Sequence, residues 1–299
     1  MPPVFTKFDS FQRTIKNIGW MLLIVVFTQI GIDIIKMVLM RYWDNSVILE
    51  GLALIAKTLL PAVCALVYAK KQIDVHWFSS DLTFDFPLSA YLKTVAVMFS
   101  CAMILSLVMT LFQTVLGIRF YNDALFQYSN PVYRICVVIA GVIFAPVLEE
   151  MLCRGVILRS LKDYNALFSI VMTGLLFGML HMNLVQAIVH CCTGMILAYV
   201  SLKYKSLILT ILVHMTHNAL SFLTVFSANN VVMSSIVGLL MYVLIIAGII
   251  VIAMEWKNWA RFLRRHTIQY PYFQMAFKQV SVILFVIVFV VLSALVMVV

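Results

Sequence analysis

The feature of this sequence that most constrains its fold is a series of nine apolar segments, most of them about 20 residues long. They cover approximately residues 20–40, 47–69, 92–116, 132–158, 166–182, 184–202, 206–226, 231–254 and 280–299. A helix of this length crosses the roughly 30 Å of hydrocarbon in a bilayer, whereas the strands of a membrane barrel are shorter and alternate in polarity. The sequence therefore predicts an all-α fold, a polytopic transmembrane helix bundle with about eight to nine transmembrane helices.

The composition agrees with a membrane protein. Of the 299 residues, 64% are hydrophobic and 11% are charged, whereas charged residues make up about 25% of a soluble domain. The six cysteines show no CxxC spacing, so the sequence favours neither a disulfide framework nor a thiolate metal site. No low-complexity linker divides the chain, and we predict one integral membrane domain over residues 1–299.

The distribution of Lys and Arg predicts the orientation, because cytoplasmic loops accumulate these residues. With a cytoplasmic N-terminus, the inner side holds positions 7, 13, 16, 70, 71, 93, 154, 159, 162, 203, 205, 257, 261, 264, 265 and 278. The outer connections hold only positions 41, 119 and 134. A basic inner face is attracted to anionic membrane lipids. The net charge of +9 is explained in this way, and we expect no nucleic-acid partner.

Several polar side chains interrupt the apolar segments. An ionisable residue inside a membrane costs about 2.5 to 3.5 kcal/mol on insertion scales, so each is a candidate functional residue that needs a cavity or a partner. The fourth, fifth and seventh segments contain Glu149, Glu150, Arg154, His181, His214, His217 and Asn218.

The spacing on the fourth segment gives its two glutamates different surroundings. Glu150 and Arg154 are four residues apart and meet on one helix face, where they can form an ion pair. Glu149 is rotated about 100° from Glu150 and faces elsewhere, so the two carboxylates need not share a role. Pro146 lacks a backbone N–H and is expected to loosen the helix where the acidic residues begin.

The depth of these side chains can be estimated at about 1.5 Å per residue from the inner basic edge. Glu149 lies at about 15 Å, His214 at about 14 Å and Asn218 at about 20 Å. His181 comes out at about 24 Å, a turn or two higher, unless its helix begins deeper or tilts. The other three side chains reach a similar layer.

A carboxylate, two imidazoles and a carboxamide that converge at mid-membrane depth would form the set of groups that a hydrolase needs. They can supply a general base for water and hydrogen-bond donors for a developing oxyanion. Two histidines and a carboxylate can also hold zinc, although an HExxH motif is absent and asparagine is a poor zinc ligand. Both alternatives stay open at this point.

Three short motifs on these segments resemble one family. EEMLCR (Glu149 to Arg154), FGMLH (Phe177 to His181) and HMTHN (His214 to Asn218) resemble the EExxxR, FxxxH and HxxxN signatures of the CAAX prenyl endopeptidase and bacteriocin-processing (CPBP, or Abi) family of intramembrane proteases. The motifs stand in the family's order, and the resemblance covers a catalytic core of roughly residues 92–254.

The resemblance implies roles for four residues. Glu149 would activate water with help from His181, while His214 and Asn218 would stabilise the oxyanion. Members of the family are commonly called metalloproteases, and a zinc ion, if present, would be held by Glu149, His181 and His214. A metal-free, glutamate-dependent mechanism suits the same residues at least as well.

The remaining motif residues are expected to support the site. Glu150 and Arg154 would form a supporting pair, or Arg154 would bind a substrate carboxylate. Phe177 lies one helical turn before His181 and is expected to pack against the site. His190 and His217 are expected to be structural, and the sequence indicates no partner for His190.

These observations leave three functional hypotheses. The first is an intramembrane endopeptidase that acts on a lipidated, CAAX-like or a membrane-embedded peptide. The second is a non-catalytic bacteriocin-immunity or membrane scaffold protein of the same fold. The third is an ion-coupled transporter, which would be expected to show inverted repeats that the sequence lacks. The lack of eukaryotic targeting signals favours the cytoplasmic membrane of a bacterium.

Overall fold

The computed structural model describes residues 4–43, 47–73, 82–120 and 130–298. Within these ranges the regular structure is helical, apart from one antiparallel pair of two-residue strands, Arg119–Phe120 with Met297–Val298. The helices are α1 (Val4–Leu39), α2 (Val47–Gln72), α3 (Leu88–Leu116), α4 (Pro131–Val138), α5 (Ala145–Glu150), α6 (Arg159–Lys162), α7 (Ala166–Met179), α8 (Leu184–Tyr204), α9 (Leu207–Ser227), α10 (Val231–Arg265), α11 (Tyr272–Phe277) and α12 (Val280–Leu295). Two π-helical segments, Ile139–Phe144 and Met151–Leu158, join α4, α5 and α6 into one span.

The predicted polytopic helical bundle is confirmed. In the described part of the chain, seven helical spans are long and apolar enough to cross a membrane, and α7 and α12 are shorter apolar helices. Each of the nine predicted apolar segments corresponds to one of these helices. Val299, the last residue of the ninth segment, lies outside the described residues.

The span from α4 to α6 packs against α7, α8 and α9. α1, α2 and α12 pack together on one side, where α2 contacts α4 and α5. α3 and α10 pack against each other on the other side, where α3 also contacts α8 and α9. The polar motifs therefore belong to helices that have neighbours on two sides.

α7 and α8 form a tight antiparallel hairpin because glycines occupy their contact surface. A Cβ added to Gly178 would overlap the carbonyl oxygen of Ala187, and one added to Gly194 would lie 2.8 Å from Cδ1 of Phe177. Small residues at such a crossing let two membrane helices approach closely. At the tip of the hairpin the side chain of Asn183 accepts hydrogen bonds from the first amides of α8. His181 is thereby fixed beside this turn.

Candidate active site

Pro146 shapes the helix just before the two glutamates. The amide of Ala145 bonds to the carbonyl of Ala140, which is the i to i+5 pattern of a π-helix. The next bond in this pattern would join residue 146 to Gly141, but proline has no N–H to donate. The Gly141 carbonyl accepts instead from Nδ2 of Asn218, at 2.8 Å. The predicted loosening at Pro146 thus takes the form of a π-helical segment that binds α9.

Glu150 and Arg154 form a fully buried ion pair. Nη1 of Arg154 donates to Oε1 of Glu150 at 2.7 Å, and both side chains have 0% exposure. Nη2 of Arg154 donates to the carbonyl of Gly194 at 2.8 Å, and its Cζ lies 5.0 Å from the ring centroid of Phe177. A buried charge needs such partners. The alternative in which Arg154 binds a substrate carboxylate finds no support in this geometry, since the guanidinium is enclosed.

Glu149 lies in a different environment from its neighbour. Its side chain is 33% exposed, and Oε2 lies 3.7 Å from Nε2 of His214. The opposite ring nitrogen of His214, Nδ1, lies 2.9 Å from Oε1 of Glu150. Since an ionised carboxylate can only accept a hydrogen bond, Nδ1 carries the proton of this bond. Glu150 therefore orients the imidazole, whose other nitrogen faces Glu149.

His181 and His214 both contact the ring of Phe177. Nδ1 of His181 lies 3.0 Å from the carbonyl oxygen of Phe177, so its ring folds back over the preceding helical turn, as helix side chains do. The Phe177 ring lies edge-on to both histidines, with centroid distances of 5.2 Å to His181 and 5.8 Å to His214. The two histidines thus meet at Phe177 despite the difference in depth that the sequence suggested. Nε2 of His181 remains as the nitrogen that can take part in chemistry.

His190 has a partner that the sequence did not reveal. Its ring stacks on that of His181, with a centroid distance of 3.7 Å and an angle of 10° between the planes. The two residues are nine positions apart: His181 lies in the turn after α7, and His190 lies on α8. The break between the helices covers residues 180–183, and Asn183, the polar residue between the fifth and sixth apolar segments, was the signal that could have predicted this contact. His217 instead faces Phe99 on α3, with the ring centroids 5.9 Å apart.

The arrangement of donors does not fit the zinc site that was left open. The side chains of the described residues include no group of three His, Cys, Asp or Glu that could hold a metal ion. Separately, the Nδ1 atoms of His181 and His214 lie within hydrogen-bond distance of Phe177 O and Glu150 Oε1, which leaves the two Nε2 atoms as the nitrogens able to take part in chemistry. The proposed reaction at this site therefore uses no metal ion.

The comparison with protein families supports the resemblance. Residues 131–220 match the family model described as type II CAAX prenyl endopeptidase, Rce1-like. This range runs from α4 to α9 and contains all three motifs, and the match confirms the resemblance to the CAAX-processing proteases in this part of the chain. At the level of the family it supports a CAAX-type intramembrane endopeptidase. No curated protein and no solved structure shows a significant match to the chain.

Proposed function

We propose that this protein is an intramembrane endopeptidase that hydrolyses a peptide bond in a lipidated, CAAX-like or membrane-embedded peptide. The observation that carries the proposal is the contrast between two adjacent carboxylates. Glu149 is 33% exposed and faces Nε2 of His214, whereas Glu150 is fully buried between Arg154 and His214. A general base must reach water and substrate. A carboxylate that only orients other side chains, as we propose for Glu150, needs no access to water or substrate.

In the proposed reaction Glu149 takes a proton from water while the water oxygen attacks the carbonyl carbon of the scissile bond. The electron pair of the C=O bond moves to the oxygen and gives a tetrahedral oxyanion. When the oxyanion collapses, the C–N bond breaks and Glu149 delivers the proton to the leaving nitrogen. Nε2 of His181 assists by holding the water, since its Nδ1 is already engaged with the carbonyl of Phe177.

His214 and Asn218 are proposed to stabilise the oxyanion. The carboxamide of Asn218 has two N–H donors, so one can hold the Gly141 carbonyl while the other faces the oxyanion. His214 donates through Nε2, which requires a proton on each ring nitrogen. The carboxylates of Glu149 and Glu150, on either side of the ring, supply the compensating negative charge. Removal of one such preorganised oxyanion donor lowers kcat by about 10²- to 10³-fold.

The test is cleavage of a panel of membrane peptides, farnesylated CAAX peptides among them, by purified protein in detergent, with the products identified by mass spectrometry. Glu149→Gln is expected to reduce the cleavage rate by about 10²- to 10⁴-fold, the contribution of a general base. The matched control is Asp33→Asn, because Asp33 is also a carboxylate of a membrane span but pairs with Lys57 between α1 and α2. This variant is expected to cleave like the wild type.

A chelator is expected to leave the cleavage by the wild type unchanged, because the described donors do not form a metal site. A fully active Glu149→Gln protein would refute the assigned role of the glutamate. A folded wild type that binds peptides without cutting any of them would favour the non-catalytic, peptide-capturing alternative.

A further inference from the structure

A cavity lies beside α8, away from the polar cluster that Glu149, Glu150, Arg154 and His214 form. It has a volume of about 290 Å³ and lies between α3, α7, α8 and α10. Its wall is mainly apolar and includes Val97, Ile170, Ile196, Val200, Val251 and Phe262. The volume corresponds to roughly ten groups of the size of a water molecule. Such a cavity fits a segment of a hydrocarbon chain.

The rim of this cavity carries a small charged cluster. Nζ of Lys93 lies 3.2 Å from Oε1 of Glu255, and Nζ of Lys203 lies 3.9 Å from Oε2 of the same residue. The lysine side chains are 44% and 38% exposed, whereas Glu255 is 18% exposed. Two ammonium groups around one carboxylate leave a net charge of about +1 at the rim. The rim can therefore accept one more anion.

The position of the rim along the helices matches the head groups of the inner leaflet. Lys203 lies in the last turn of α8, and Lys93 in the second turn of α3. The distribution of basic residues predicts that both ends face the cytoplasm. Trp259 and Tyr199 also line the cavity, and such aromatic residues are enriched at the membrane–water interface.

We propose that this cavity binds one acyl chain of an anionic phospholipid of the inner leaflet, with the phosphate of its head group between Lys93 and Lys203. A lipid with one net negative charge matches the net charge of the rim, whereas a zwitterionic lipid gains no such attraction. None of the residues that line the cavity belongs to the proposed protease site. This lipid site is therefore additional to the proposed protease site and does not depend on it.

Two tryptophans on α10 make the site measurable. Trp259 lines the cavity, whereas Trp256, three residues earlier, is 56% exposed on the outer surface of the bundle. Of the five tryptophans, one protein would keep Trp259 alone and another Trp256 alone, with phenylalanine at the other four positions. Each would be mixed with phosphatidylglycerol or phosphatidylcholine that carries brominated acyl chains, which quench a tryptophan that they touch.

The fluorescence of Trp259 is expected to be quenched at an about fivefold lower mole fraction of phosphatidylglycerol than of phosphatidylcholine. This factor corresponds to the attraction between one basic side chain and an anionic lipid surface, about 1 kcal/mol. Trp256 should respond equally to both lipids. Changing Lys93→Gln and Lys203→Gln together should abolish the preference at Trp259. Lys257→Gln, an exposed lysine on the same helix, should keep it and serves as the matched control.

Equal quenching of Trp259 and Trp256 by each lipid would overturn the proposal. The proposal would also be overturned if a farnesylated peptide displaced the brominated lipid and unbrominated phosphatidylglycerol did not. The cavity would then be a binding site for a peptide substrate. If the single-tryptophan proteins do not fold, native mass spectrometry provides the second measurement. The wild type is expected to retain one phosphatidylglycerol more than the Lys93→Gln, Lys203→Gln protein, and equal retention would contradict the proposal.

Discussion

The polar cluster and the apolar cavity lie on opposite faces of α8 and are built in opposite ways. In the cluster, Arg154 and Glu150 bond to each other, and each also bonds to another helix. In the cavity, mainly apolar side chains line an open volume of about 290 Å³. Gly194 supplies a carbonyl to the cluster, and the adjacent Met195 lines the cavity. One helix thus supports a rigid polar site on one face and an adaptable apolar surface on the other.

The difference follows from the cost of burying each kind of group. A charge out of water is stable only with fixed partners, so every member of the cluster restricts the others. Apolar side chains have no directional requirement, and their packing can adjust when a neighbour changes. We therefore expect substitutions in the cluster to be costly and substitutions in the cavity to be tolerated.

The largest effect is expected for Arg154→Met, which would leave Glu150 buried without the guanidinium that pairs with it. Breaking a buried ion pair in this way costs about 3 to 5 kcal/mol, and cleavage should be lost as well because His214 depends on Glu150. Thermal unfolding in detergent and the peptide assay would measure both.

The control for this prediction is the double variant Glu150→Gln, Arg154→Met, which removes both charges. Its stability is expected to lie between those of the single variant and the wild type, because no unpaired charge remains. If the single variant is as stable as the double one, loss of the guanidinium alone has no cost. The ion pair would then not be the rigid part of the polar cluster.

A smaller effect is expected for Gly178→Ala, at the contact between the two arms of the hairpin. The new Cβ would overlap the carbonyl oxygen of Ala187, so α7 and α8 must separate. Overpacking of this kind costs about 1 to 3 kcal/mol and should also slow cleavage by moving His181. The unfolding midpoint and the cleavage rate would be measured together.

Gly238→Ala is the matched control, because nothing lies within 4 Å of a Cβ at this position of α10. Here alanine should stabilise the helix by up to about 1 kcal/mol, its advantage in helix propensity over glycine. Equal midpoints for the two variants would show that the hairpin can separate without cost.

The parts of this architecture that could be predicted from the sequence are those fixed by local spacing. The lengths of the apolar segments predicted the helices, and the i to i+4 spacing of Glu150 and Arg154 predicted their contact. Pro146 marked the first π-helical segment because a missing N–H acts on its own helix. The second π-helical segment, Met151–Leu158, contains no proline and could not be predicted in this way.

The other features depend on which helices are neighbours, and spacing along one helix does not contain that information. The stacking of His181 on His190 requires the tight hairpin. The bond from Asn218 to Gly141 joins α9 to the first π-helical segment. The cavity arises where four helices fail to fill the space between them. The roles assigned to the site residues remain predictions until the variants are assayed.

The smallest effect is expected for Val97→Phe, which fills part of the cavity. Val97 is 4% exposed and lines the cavity wall, so the larger ring can enter existing space. Its cost should stay below the roughly 1 kcal/mol at which overpacking of a filled core begins. Cleavage is expected to stay at the wild-type rate. The quenching of Trp259 should no longer be stronger with brominated phosphatidylglycerol than with brominated phosphatidylcholine. If Val97→Phe instead lowered cleavage as strongly as Arg154→Met, strain in the cavity would be reaching the cluster through Met195 and Gly194. The two faces of α8 would then form one site, because the cavity wall would be holding the carbonyl that positions Arg154.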